Sequence, residues 1–196
     1  MPAPPPDPPN ETRRDHFPSH PPSHPVNLDD DALLKQCTTR RSRASGPGGQ
    51  HRNKVETAIE LTHTPTGITA SASERRSQAD NKRVALKRLR LKLAIEHRPR
   101  ISTDPTEAAS MASAPGDLWQ SRIKAKRIVL NKDHADFPIL LAEALDTLAA
   151  LNYDTTKTAV VLGVTGSQLV KLFQKEPAVL ARVNDERIKL GFTKLR

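Results

Sequence analysis

Ten of the 17 prolines of this chain fall within its first 25 residues, and no packed core can be built there. Proline fixes φ and removes a backbone donor, and too few apolar residues surround it to repay the entropy of ordering the segment. Residues 1–27 therefore read as a disordered Pro-rich arm. His16, His20 and His24 recur within it at four-residue spacing, but the intervening prolines forbid the helix that would align them, so no metal site is expected. The folded part must be made from the residues beyond this arm. Across the whole chain only 36% of residues are hydrophobic and 3% aromatic, so the core is small and aliphatic. Cys37 is the single cysteine, which excludes an intramolecular disulfide framework and a Cys-rich zinc site. No run of eighteen apolar residues occurs, so no membrane-spanning helix is expected. The N-terminus lacks an apolar signal core, and Asp7, Glu11 and Asp15 argue against a mitochondrial transit peptide. The expectation is a cytoplasmic protein with no membrane partner.

The formal net charge is +9, and its placement is informative. Residues 38–100 hold fifteen Lys/Arg against five Asp/Glu, a net +10, so the remainder sums to −1. Positive charge confined to one third of a chain suggests a surface for a polyanion. The plainer alternative is a solvated helix face.

The pattern predicts an α+β fold. Asp29-Asp30-Asp31 before Ala32–Lys35 reads as a two-turn helix with acids at its positive end. Thr38 to Ala44 reads as a strand entering a Gly-rich loop, and Asn53 to Thr57 as a short turn of helix. Ile59, Leu61 and His63 alternate with polar neighbours, as do Ile68, Ala70 and Ala72, and Thr64-Pro65-Thr66-Gly67 between them fits a type I turn. Residues 77–96 predict the strongest helix, capped by Ser77. Its stripe of Ala79, Leu86, Leu89 and Leu93 should pack on the hairpin. Val84, Leu91 and Ile95 fall on nearly the opposite side and should meet either the C-terminal region or a partner. Between the stripes run two basic columns, Arg83/Lys87/Arg90 and Arg88/Lys92.

Residues 28–100 are thus one small domain, a hairpin sheet on a basic helix. Residues 101–117 read as a linker, and 118–196 as an all-α region. Leu118 to Asn131 is ambiguous, with Trp119 a candidate packing anchor. Helices are expected over Pro138–Leu151 (Leu141, Leu145 and Leu148 on one face), from Thr155 to Gly163, from a Thr165 or Ser167 cap to Lys175, and from Pro177 to Gly191. A short helix, a Gly-containing turn and a second helix resemble a helix-turn-helix, and equally any small three-helix bundle. Only Lys157, Lys171 and Lys175 supply positive charge across 155–175, which is thin for a DNA reader.

The loop Ser45-Gly46-Pro47-Gly48-Gly49-Gln50-His51-Arg52-Asn53-Lys54 carries the chemistry. Three glycines in four positions let the main chain approach a partner closely. Neither a P-loop ending nor a dinucleotide fingerprint is present. His51 and His63 have no acid or thiol at a suggestive spacing, so a self-sufficient hydrolase site is not expected. What remains is a tip of backbone N–H groups beside one amide side chain. It is suited to stabilising oxyanion charge and placing a water, with the other machinery supplied from outside.

Arg43 to His51, with Asn53, Thr57, Ala58 and Ile59, resembles the signature of class I peptide-chain release factors, whose catalytic motif is the Gly-Gly-Gln tip. The strand at Ile59–His63, the Pro65–Gly67 turn, Arg75-Arg76-Ser77-Gln78, Asn81-Lys82 and the basic helix also fit that family's catalytic domain. The resemblance covers residues 33–97. It implies hydrolysis of the peptidyl-tRNA ester in the ribosomal peptidyl-transferase centre, with no cofactor and no metal. Gly48 and Gly49 would let the tip enter an RNA cavity. The Gln50 N–H would stabilise the transition state or leaving hydroxyl, while its side chain positions water. Arg40, Arg41, Arg43, His51, Arg52, Lys54, Arg75 and Arg76 would contact rRNA. The partners so implied are the ribosome and peptidyl-tRNA, with a methyltransferase acting on Gln50 a further candidate.

Arg52 stands where the family usually carries Val or Ile, so it must point outward or pair with an acid such as Glu56. Only 47 residues precede Gly48, too few for a stop-codon-reading domain, and the chain therefore looks like the short, codon-independent rescue members. The alternative function is a nucleic-acid-binding regulator that uses the helix-turn-helix-like segment and leaves the loop inactive. A third is a ribosome binder without hydrolysis.

Overall fold

A computed structural model of the chain describes residues 24–43, 56–98 and 115–196. Helix α1 (Asp30–Lys35) begins at Asp29, whose carboxylate accepts the Ala32 N–H at 2.7 Å. It leads into strand β1 (Cys37–Ser42), which pairs antiparallel with β2 (Ala58–His63), and β2 pairs with β3 (Thr69–Ala72). The alternation in β2 turns Ile59, Leu61 and His63 to one face, where Ala70 and Ala72 join them, all buried. The His63 ring sits in this core because its two nitrogens are satisfied. Nε2–H donates to Gln36 Oε1 at 2.9 Å, and Nδ1 accepts from the Thr66 hydroxyl at 2.8 Å. Burial holds its pKa below the usual imidazole value, as two such bonds to a neutral ring require.

The turn between β2 and β3 starts one residue earlier than its composition predicts. The His63 carbonyl accepts from the N–H of Thr66 at 3.2 Å and of Gly67 at 2.8 Å. Gly67 takes φ +70°, so it is needed for a left-handed residue rather than as the fourth position of a type I turn.

Helix α2 (Gln78–Glu96) crosses the sheet, with Ser77 accepting the Asp80 N–H at 3.4 Å. Ala85, Leu86, Leu89 and Leu93 pack on Ile59, Leu61, Ala70 and Ala72, and Leu33 of α1 closes this first core. Ala79, expected in that stripe, is exposed. The helix starts beyond the sheet's edge, and the buried position on its first turns is Asn81. The basic columns are largely occupied within the fold. Arg88 binds Glu74 and the Ser71 carbonyl, Lys92 the Thr69 carbonyl, Arg90 Asp30 and the Val26 carbonyl, and Arg83 Asp80. Arg88 and Lys92 thereby cap outward carbonyls of the β3 edge, which otherwise lacks a partner strand.

Of the expected second stripe of α2, Leu91 and Ile95 meet the C-terminal half of the chain, whereas Val84 packs at the margin of the sheet core instead. Ala94 is fully buried in a second core, with Leu91 and Ile95 at its margin. That core is built on helix α3 (Asp117–Arg122) and α4 (Phe137–Ala150), followed by α5 (Thr155–Val161), α6 (Gly166–Gln174) and α7 (Pro177–Lys189). Trp119 of α3 is its anchor, fully buried, with its indole N–H donating to the Leu162 carbonyl at 2.8 Å. Leu141, Leu145 and Leu148 face inward on α4 as their spacing predicts. Thr165 caps α6, while Gly163 (φ +65°) and Gly191 (φ +81°) follow the ends of α5 and α7. At the seam Arg98 binds the Asp146 carboxylate of α4.

Two expectations need correction. The Pro-rich arm does not extend to residue 27. Pro25–Asn27 form a 3₁₀ turn whose Val26 is fully buried in the second core, and the His24 ring donates to the His97 carbonyl at 3.2 Å. One apolar side chain between α2 and α4 is enough to order a segment that its prolines alone would leave open. Residues 118–196 are also not all-α. Strands β4 (Ile123–Lys124) and β5 (Arg127–Ile128) form a two-stranded ribbon turned by Ala125 and Lys126, both at positive φ. Nothing in Ala-Lys announces such a turn, since left-handed residues other than Gly, Asn or Asp cost roughly 1–2 kcal/mol each. Residues 1–23 and most of the expected linker, 101–114, lie outside the described residues, as do 53–55 of the expected helical turn.

Candidate functional site

Strands β1 and β2 are the stems of the Gly-rich loop, and Ser42 opposite Ala58 is their last pair. Gly48, Gly49, Gln50, His51, Arg52 and Lys54 lie outside the described residues, whereas both stems are described. The returning stem is held by the first turns of α2. Asn81, with no exposed surface, donates through Nδ2 to the Thr57 carbonyl at 2.6 Å and the Arg75 carbonyl at 2.9 Å. Its Oδ1 accepts the Arg75 N–H at 2.9 Å. Gln78 adds a bond of 2.6 Å to the Glu56 carbonyl. One buried amide thus ties the loop stem to the segment joining β3 to α2, because a buried amide must find partners for its donors and its acceptor.

The charged side chains gather unevenly around this root. Arg43 faces Glu56 across the two stems at 4.0 Å, both well exposed, an arrangement of little energetic weight. Glu56, named as one acid with which Arg52 could pair if it does not point outward, is thus beside Arg43. Arg75 is brought to the loop root through Asn81, and Arg76 follows it, exposed. Arg40 and Arg41 are exposed on β1 but point to opposite faces, since Arg40 stands across from Glu60 and Arg41 across from buried Ile59. Together they also charge an edge strand that no further strand covers.

No thiol or imidazole among the described residues is near the loop root. Cys37 and His63 pair with each other at the far end of the β1–β2 ladder, about 17 Å from Ser42 at the usual rise per residue. Burial pushes the Cys37 thiol pKa up and the thiol donates to the Leu33 carbonyl, which disfavours its thiolate. Glu74 is held below the usual carboxylate range by the Arg88 hydrogen bond. No cluster of His, Cys, Asp or Glu among the described residues could hold a metal ion, and no described helix is long and apolar enough to cross a membrane. The described residues therefore form a rigid, basic support for a loop and bring no acid–base pair to it.

The positioning role of Asn81 and Gln78 is absent from the sequence reading. A signal existed for Asn81: it lies four residues before Ala85 and eight before Leu89, a polar residue on an otherwise apolar stripe.

The family model for the RF-1 domain matches residues 29–134. Peptide chain release factor 2 of Thermotoga petrophila is 57% identical over 85 residues, which are 41% of this chain and 23% of that protein. Peptide chain release factor 2 of Staphylococcus epidermidis is 40% identical over 84 residues, 42% of this chain and 22% of that protein. Peptide chain release factor 1 of Ureaplasma parvum serovar 3 is 53% identical over 51 residues, 26% and 14% respectively. The chain spans less than a quarter of the length of these relatives. The match takes in both loop stems, the Asn81 tie and the helix behind them, and on more than half of its residues this chain belongs to the RF-1 domain family, that of the class I peptide-chain release factors.

Proposed function

We propose that the chain is a ribosome-dependent peptidyl-tRNA hydrolase that releases nascent peptide from stalled ribosomes without reading a stop codon. The observation that carries the reading is a loop with Gly48-Gly49-Gln50 on stems tied down by Asn81 and Gln78. In this mechanism Gly48 and Gly49 give a tip narrow enough to enter the peptidyl-transferase cavity. The Gln50 backbone N–H donates to the oxyanion or leaving hydroxyl, and its side chain orders the attacking water. The ribosome and the tRNA ribose supply the proton transfers, in keeping with a loop root that has no acid–base pair among the described residues. Arg40, Arg41, Arg43, His51, Arg52, Lys54, Arg75 and Arg76 bind rRNA phosphates. The match to the RF-1 domain and to peptide chain release factors 1 and 2 supports peptide release in general, and the codon-independent part stands on the stalled-ribosome assay.

Single-turnover peptide release at saturating protein, on ribosomes with an empty decoding site, tests the reading. Wild type should release peptide there, and strict dependence on a stop codon would refute rescue. Gly49→Ala should lower the rate about 100-fold, because a shift of about 1 Å in the neighbouring N–H is costly. Gln50→Pro, which lacks that N–H, should be at least as damaging, and Gln50→Ala milder. Wild-type release by Gln50→Pro would remove the backbone donor from the mechanism.

A further inference from the structure

The segment between the two cores carries charge that release chemistry does not use. From Leu118 to Lys132 the sequence holds Arg122, Lys124, Lys126, Arg127 and Lys132, and no Asp or Glu. Arg122 is occupied by Asp136 at 2.5 Å. The other four are exposed, and none has an ion pair among the described residues. The ribbon sets Lys124 directly across from Arg127, like charges facing each other, which lowers stability. Its tip, Ala125 and Lys126, holds φ of 47° and 61°, a conformation usually left to Gly or Asn. Positive charge without acidic partners, concentrated at one exposed tip, is complementary to a polyanion.

The ribbon is fixed against α6. The Ile128 N–H donates to Gln168 Oε1 at 3.3 Å, and Lys175 Nζ donates to the Leu130 carbonyl. Helix α6 turns Ser167, Lys171 and Gln174 outward beside it, all exposed, and Lys171 also has no ion pair among the described residues. Two neighbouring elements thus present positive charge on an outward surface. None of the exposed ribbon and α6 residues is Phe, Tyr or Trp. Sites for single strands stack bases on aromatic rings, whereas duplex backbones are held by charge and shape.

We propose that the β4–β5 ribbon and α6 form a docking surface for the phosphate backbone of a double-helical RNA, with Lys124, Lys126 and Arg127 on one phosphate track and Lys171 on the neighbouring one. The surface stands apart from the loop. Only the choice of RNA over DNA rests on the proposed ribosomal function.

The test is fluorescence anisotropy of the full chain on a labelled RNA hairpin of about 16 base pairs, titrated with salt. It is run in an Arg75→Ala/Arg76→Ala background, so that the loop side contributes less. Adding Lys124→Gln, Lys126→Gln and Arg127→Gln should lower affinity at least about 10-fold and flatten the log–log salt slope by roughly 2.5, since each lost phosphate contact removes a little under one. Lys171→Gln alone should give a smaller loss in the same direction. The substituted side chains are exposed, and a urea midpoint no lower than that of the background protein verifies the fold. No binding by the background protein, or equal affinity and slope in the ribbon variant, overturns the surface. Equal or tighter binding of a DNA duplex overturns the choice of RNA. Peptide release by wild type is scored separately: its absence beside ribbon-dependent duplex binding refutes the proposed function and leaves the surface standing.

Discussion

At the scale of single residues, two buried polar side chains matter most. Asn81→Ala strips partners from the Thr57 carbonyl and from both backbone groups of Arg75. It should cost about 1–3 kcal/mol in urea unfolding and slow single-turnover release, while Gln78→Ala, nearer the surface, costs less. Stability loss with unaltered release would mean that the tie does not position the loop. His24 is the second. Its Nδ1 accepts the Val26 N–H and its Nε2–H donates to the His97 carbonyl, which requires a neutral ring. Burial pushes its pKa down to about 4, and the nearby Arg98 and His97 add to the shift. The unfolded chain binds a proton here below about 6.5 and the folded one only near 4, so this stabilisation is complete above 6.5 and is lost as pH falls toward 4. It amounts to about 2 kcal/mol between pH 8 and pH 5. Asp146 runs the opposite way: burial raises its pKa to about 6, and its contribution declines as pH rises through that value. Comparing wild type with His24→Gln isolates the histidine, and the stability gap between them should shrink by that amount from pH 8 to 5. A gap that does not change with pH would show the ring is not held neutral.

Among the elements, α2 does the most: one face closes the sheet core, the other enters the helical core, and its first turns hold the loop stem. Ala94 lies where α2 meets the second core with no exposed surface. Ala94→Leu should overpack that seam and cost about 1–3 kcal/mol, whereas Ala79→Leu at the exposed start of the same helix should stay within about 0.5 kcal/mol. Equal effects in urea unfolding would contradict the packing described. The sheet, α2 and the C-terminal helices were legible in the sequence, because alternation, 3.6-residue periodicity, Ser77, Thr165 and the placement of Pro177 and Gly191 each act locally. The ribbon was not, since Ala125-Lys126 is an unfavoured turn imposed by the packing of β5 on α6. Val26 was hidden by its prolines, and Asn81 by being a lone polar residue whose partners are distant in sequence. The Gly-rich loop was legible as a motif, and its support was not.

Over the whole molecule the positive charge divides into two kinds. Arg88, Arg90 and Arg98 are engaged with carboxylates and carbonyls of the fold. Arg40, Arg41, Arg75 and Arg76 are exposed and make no ion pair among the described residues. The net charge therefore overstates what a polyanion meets. Arg75→Ala/Arg76→Ala should weaken ribosome binding and flatten its log–log salt slope by about 1–2. Arg90→Ala should lower the urea midpoint and leave the slope alone, and a slope changed equally by both would erase the distinction. The seating of Val26 also bears on how the chain is made. It packs between α2 and α4, so it waits for a helix translated long after it. Until α4 has emerged, a half-made chain carries a finished sheet with one bare flank, and what shields that flank during synthesis bears on yield as much as final stability does.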